Sequence, residues 1–140
     1  MNKNLKTYSG LDAHIHYSNG EAKTVCTSAV LGALGISPGQ YRYSGRVRQW
    51  PPILRRAGYA VRSRNVQARG VGTVGALRRL IKSRRRAWGD PGRAWYLVTV
   101  KSRTAWHLIL LDSNGKTVVD TAPRKRDRRP VVDVQAAWLR

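Results

Sequence analysis

One cysteine, three histidines and seven acidic residues are the groups of this 140-residue chain from which a thiol nucleophile, its base or a metal site would be drawn. The cysteine, Cys26, lies in the string Thr24-Val25-Cys26-Thr27-Ser28-Ala29-Val30-Leu31-Gly32-Ala33-Leu34, small and apolar, with Gly35 as a stop and Pro38 just beyond. This pattern predicts a short, buried helix over 24–34 with Cys26 in its first turn. There the positive end of the helix dipole favours a thiolate, the form in which sulfur is a nucleophile. A cysteine in such a helix also serves simply as core packing. Being single, it excludes an internal disulfide and a multi-cysteine zinc site. His14 and His16, with Asp12 close by, are spaced like ligands but lack a third convincing partner, so no metal and no cofactor is expected.

A base for the thiol is found by counting along a hairpin. Trp106 to Asp112 and Lys116 to Thr121 read as strands joined through Ser113-Asn114-Gly115, and Asn-Gly is the strongest short hairpin signal. With Asn114 and Gly115 as a two-residue turn, Ile109 faces Asp120 and His107 faces Ala122. His107 and Asp120 then share a face, diagonal to each other and roughly 5–7 Å apart at their side-chain roots. Asp112 projects from the opposite face. An acid that holds the ring in one tautomer and stabilises its protonated form suits a histidine that acts as base to a thiol, then as acid to a leaving amine. The same pair would also serve as a structural contact on a sheet.

These side chains need a scaffold, and the rest of the chain describes one. Residues 1–23 are polar and read as an irregular segment. Arg46 to Ala57 predicts a second helix, with Pro51-Pro52 near its first turn, Gly58 as its stop and a short strand Tyr59 to Arg62 following. Thr73 caps a third helix in which Val74, Leu77, Leu80 and Ile81 fall at helical spacing while Arg78, Arg79 and Lys82 face out. Asp90-Pro91-Gly92 is a turn signal. Trp95 to Val100 is an apolar, β-branched strand, and Val131 to Leu139 returns as a final one. Helices first and antiparallel strands second argue for an α+β fold with the helices on one side of the sheet. The length suits one domain over residues 1–140.

The order of a cysteine-led helix, a histidine strand and an acidic strand resembles the papain-like fold. It looks most like the compact papain-like proteins that phages and other viruses encode. The pieces that carry the resemblance are Val25-Cys26-Thr27-Ser28-Ala29, Tyr96-Leu97-Val98-Thr99-Val100, Trp106-His107-Leu108 and Val118-Val119-Asp120-Thr121. The resemblance implies a papain-like α+β fold, N-terminal helices packed on a C-terminal antiparallel β-sheet. It also implies a thiol hydrolase, a peptidase or amidase, with Cys26 as nucleophile, His107 as base and Asp120 orienting the ring. Such enzymes usually place a glutamine, or sometimes an asparagine, several residues before the cysteine to help form the oxyanion hole. The amide available here is Asn19, one residue further out than the usual spacing. Thr27-Ser28 also replaces the glycine or tryptophan common after the cysteine of active peptidases, which admits a non-catalytic member of the same fold.

Lys plus Arg number 27 against 7 Asp plus Glu, a net charge of +20, and most of the cations are arginine. The planar guanidinium fork matches phosphate oxygens, so nucleic acid, DNA or RNA, or another polyanion is the expected partner. The expected contacts are Arg78, Arg79 and Lys82 on the third helix, then Arg84, Arg85 and Arg86 beyond it. The basic loop 123–130 adds Arg124, Lys125, Arg126, Arg128 and Arg129. A solvated charged face is the plainer use of the same residues. Trp88 lies beside Arg84-Arg85-Arg86 and suits either base stacking or core packing. No run of about 18 apolar residues exists, so no membrane partner is expected. The amino terminus lacks the apolar core of a signal peptide, so the expected location is the cytoplasm of the producing cell, or a virion. Two function classes follow. One is a thiol hydrolase acting near nucleic acid, with a protein substrate or viral structural proteins as partners. The other is a non-catalytic basic nucleic-acid-binding protein on the same fold, a virion-interior component or a host-takeover factor.

Overall fold

A computed structural model of the chain describes residues 22–36, 50–66, 70–83, 88–101 and 106–140. Asn19, Arg84, Arg85 and Arg86 lie outside these residues, as do Asp12, His14, His16 and the first four positions of the expected second helix. The first helix, α1 (Ala22–Ala33), starts two residues earlier than the apolar string, because Ala22 and Lys23 are strong helix formers. Cys26 therefore stands in the second turn, a correction to its expected place in the first. Its backbone N–H falls within the i→i−4 ladder and is no longer an open donor at the helix end. Gly35 stops the helix with φ 81°. Its N–H donates to Gly32 O (3.0 Å) and that of Ile36 to Leu31 O (2.9 Å), a Schellman closure that only an easily left-handed residue completes.

Helix α2 (Trp50–Arg56) carries both prolines in its first turn, where their missing N–H groups cost nothing. Strand β1 (Tyr59–Ser63) follows. Helix α3 (Val74–Ser83) is capped by Thr73, whose Oγ1 accepts the Ala76 N–H at 3.2 Å. The remaining strands are β2 (Trp95–Lys101), β3 (Trp106–Leu111), β4 (Thr117–Val119) and β5 (Val131–Leu139). They form one sheet of order β1-β5-β2-β3-β4, antiparallel throughout. The last strand in the chain is inserted between β1 and β2, and its stretch Val134 to Ala137 is buried. No helix among the described residues is long and apolar enough to cross a membrane.

An α+β architecture is present, but the helices do not share one side. Strand alternation sorts the core into two clusters. Leu97, Leu108, Leu110 and Val119 pack with Val30, Leu31, Ile53 and Leu54 of α1 and α2. Tyr96, Val98, Val100, Ile109 and Leu111 pack on the other face with Val74, Leu77 and Ile81 of α3. The strands therefore have two apolar faces, and each needs a helical cover. This corrects the expectation of a single helical layer: residues 96–100 are buried without interruption, the mark of a strand covered twice.

The β3–β4 turn differs from the expected two-residue form. Among the described residues no non-glycine has positive φ, so Asn114 cannot occupy the left-handed region that a type I′ turn demands. Instead Gly115 N–H donates to Asp112 O (3.0 Å), and Asp112 Oδ1 accepts the N–H groups of Asn114 and Lys116, both at 2.9 Å. Leu111 pairs with Thr117, and a register shift then brings Leu110 opposite Val119, the register that the shorter turn would have produced. The bulge cancels the longer loop, so the parity that puts His107 and Asp120 together survives.

Gly115 has φ 79° and a Cβ there would stand 2.5 Å from Arg78 O, because the turn is docked on α3. Gly115→Ala should cost about 2 kcal/mol or more through left-handed strain and the clash with backbone. A urea midpoint unchanged within error would show that the turn has room to move off the helix.

Candidate active site

Three elements converge on His107. The residue is second in β3, opposite Val100, and its side chain is 12% exposed. Its Nε2–H donates to Asp120 Oδ1 at 2.9 Å, just past the end of β4. The imidazole is also hydrogen-bonded to the side chain of Cys26 on α1, and with Nε2 held by the carboxylate, Nδ1 is the nitrogen left to exchange a proton with sulfur. Cys26 is 3% exposed and belongs to the core cluster under α1. A thiol, a ring and a carboxylate thus form one hydrogen-bonded string.

Burial of the ring opposes its charged form, but the hydrogen bonds from Asp120 and Cys26 and their electrostatic attraction outweigh it. Together they push the His107 pKa up to about 9. Burial also works against the Asp120 carboxylate, and it too is overcome. His107 and Arg129 hydrogen-bond to it, Arg129 adds its charge, and the Ala122 N–H donates at 2.9 Å, so its pKa falls below the ordinary value. Both shifts favour a protonated ring beside an ionised Asp120 at neutral pH. Asp112 takes no part, being spent on its own turn.

The residue that composition alone misassigns is Arg129. It belongs to the basic run 123–130, yet only 9% of it is exposed and its guanidinium does not face solvent. Nη2 donates to Asp120 Oδ2 and to Asp127 Oδ2, both at 2.5 Å, and Nε donates to Asp127 Oδ1 at 2.8 Å. Arg129 is thus corrected from an anion contact to the clamp that holds Asp120 from the side opposite His107. The signal that could have marked it is Asp127, the single acid inside a run of cations, which asks for an internal partner.

The other expected basic contacts divide by exposure. Arg79, Lys82, Arg124, Lys125, Arg126 and Arg128 are exposed, while Arg78 is half-buried and donates from Nε to Gly115 O at 3.0 Å. Trp88 packs against the α3-side core with its ring 6.1 Å from that of Tyr96, a tilted pair that serves the core. Among the described residues no group of three or more His, Cys, Asp or Glu is arranged to hold a metal ion.

Comparison of the chain with protein-family models, with curated proteins and with solved structures returned no match.

Two outcomes test this geometry. Arg129→Met should destabilise the fold by about 3 kcal/mol, since it strands two carboxylates, whereas exposed Arg128→Ala should stay within about 0.5 kcal/mol. Equal urea midpoints for the two variants would contradict the clamp. The second concerns pH. A His107 pKa raised above its unfolded value of about 6.5 gives stability that is fully present below that pH. It is lost as pH rises through about 9. The difference in melting temperature between the wild type and His107→Ala should therefore shrink from pH 6 to pH 9.5, and a constant difference would refute the raised pKa.

Proposed function

We propose that the chain is a papain-like thiol hydrolase, a peptidase or amidase, that works near nucleic acid. The observation that carries this reading is the hydrogen-bonded string Cys26, His107, Asp120, drawn from α1, β3 and the end of β4. Nucleophile, base and orienting acid follow one another in the order that acyl transfer through sulfur requires. The raised His107 pKa adds support, because a ring that holds its proton at neutral pH can give it to the leaving amine.

In the proposed reaction the Cys26 thiolate attacks the substrate carbonyl carbon and the imidazolium of His107 gives its proton to the leaving amine, producing a thioester. Water then passes a proton to the neutral ring and attacks the thioester. The carboxylic acid product departs and the thiolate–imidazolium pair is restored. Asp120 keeps the ring in the orientation that serves both transfers, and Arg129 keeps Asp120 ionised in its buried position. Stabilisation of the oxyanion has to come from donors outside the α1 ladder, a role for which the resemblance nominates Asn19. The resemblance to compact phage and viral proteins and the net charge of +20 support a setting beside nucleic acid, in the producing cell or a virion.

The test is alkylation of Cys26 in the folded chain by iodoacetamide between pH 5 and 9, located by mass spectrometry. At pH 6 the wild type should react at least tenfold faster than His107→Ala, with Asp120→Ala in between. A thiol that is unreactive while folded, or that ignores both substitutions, would remove the catalytic reading and favour a non-catalytic use of the fold.

A further inference from the structure

Every aspartate among the described residues is hydrogen-bonded within the molecule. Arg64 and the Tyr96 hydroxyl hold Asp90, the β3–β4 turn uses Asp112, and Gln135 donates to Asp133 at 3.1 Å. Asp120 and Asp127 share Arg129. In a chain of net charge +20 the surface cations are therefore left to find counter-charge elsewhere.

They are not spread evenly. A cleft of about 1030 Å³ opens between α3, the β3–β4 turn and the segment 125–128. Arg78, Arg79 and Lys82 line it from the helix, with Arg78 and Lys82 one turn apart and so about 6 Å along the axis. Lys116 enters from the turn, and Lys125, Arg126 and Arg128 from the opposite wall. None of these side chains forms an ion pair among the described residues. The one acid among the described lining residues, Asp127, is paired with Arg129.

The cleft is built, not an accident of flexible side chains. Gly75 N–H donates to Asp127 O (2.9 Å) and Val74 N–H to Arg129 O (3.1 Å), which seats the basic segment on the start of α3. The Arg78 Nε bond to Gly115 O fixes the turn to the same helix. Three distant stretches of chain are thus bonded together so that their cations face one concavity. Several separated cations match a row of phosphates better than a single one, and arginine forks match phosphate oxygens. Among the described residues the lining holds no aromatic ring, so no aromatic platform for base stacking is present there.

We propose that this cleft binds the phosphodiester backbone of a nucleic acid without reading its sequence. The proposal does not depend on Cys26 being reactive. Such binding neutralises phosphates one by one and releases their counterions, so affinity falls along a steep salt slope.

The experiment measures fluorescence anisotropy of labelled DNA duplexes of about 20 base pairs, AT-rich or GC-rich, against the full chain over a range of salt. Two quadruple variants carry the same charge. One is Arg79→Ser, Lys82→Ser, Arg126→Ser, Arg128→Ser, all exposed positions around the cleft. The other is Arg55→Ser, Arg56→Ser, Arg62→Ser, Arg140→Ser, exposed positions near α2 and the opposite edge of the sheet. The cleft variant should lose at least tenfold in affinity and about three units of salt slope, the control less than threefold, with both duplexes bound alike. Equal losses in the two variants would overturn the proposal by showing that net charge alone is felt. So would competition by poly-glutamate as effective as that by unlabelled duplex. Cys26 alkylation at the wild-type rate in the cleft variant separates this result from that of the thiol site.

Discussion

The carboxylate of Asp120 holds the described structure together at its chemical centre, because it is buried and charged and has to be satisfied from every side. One oxygen takes the His107 ring and the Ala122 N–H, and the other takes Arg129. A buried acid with one partner removed is costly, and a buried arginine is equally so. The two are therefore obligatory to each other, and Asp127 completes the charge balance on the Nε–Nη2 edge of the guanidinium. The result is a continuous chain of polar contacts from the thiol of α1 to the wall of the basic cleft, with no step through solvent.

That chain explains how so cationic a protein places its few acids. With seven acidic residues against 27 cations, surface ion pairs would scarcely dilute the charge. Spending the described carboxylates on buried partners and a turn uses them where low dielectric makes each contact worth more. It also leaves the cations of α3 and the 125–128 segment uncompensated by design of the fold. The same loop thus serves two ends: Arg129 turns inward to the site, and its neighbours Arg126 and Arg128 turn outward to the cleft.

The scaffold beneath is a sheet covered twice. β3 lies between β2 and β4 and is packed by α1, so Cys26 and His107 come from elements in direct contact. The docking of the β3–β4 turn on α3 joins the two helical layers through the strand pair that carries His107 and leads into Asp120.

Much of this was legible in the sequence because it depends on local rules. Apolar periodicity and stop residues located α1, α3 and the strands, and Gly35, Gly58 and Thr73 end or cap elements as their chemistry requires. Strand parity paired His107 with Asp120, although the turn that sets the register was longer than the Asn-Gly signal implied. The pairing held because a compensating bulge, invisible to counting, restored it. What local rules could not supply were facts that arise only when distant segments meet. The helices cover both faces because the sheet has two apolar sides to bury, and β5 lies inside the sheet with Val134 to Ala137 buried and the Gln135 amide satisfied by Ser63 and Asp133. Arg129 looks like its neighbours in the sequence. Only the fold brings two carboxylates to it, and burial then turns a surface cation into the support of the site.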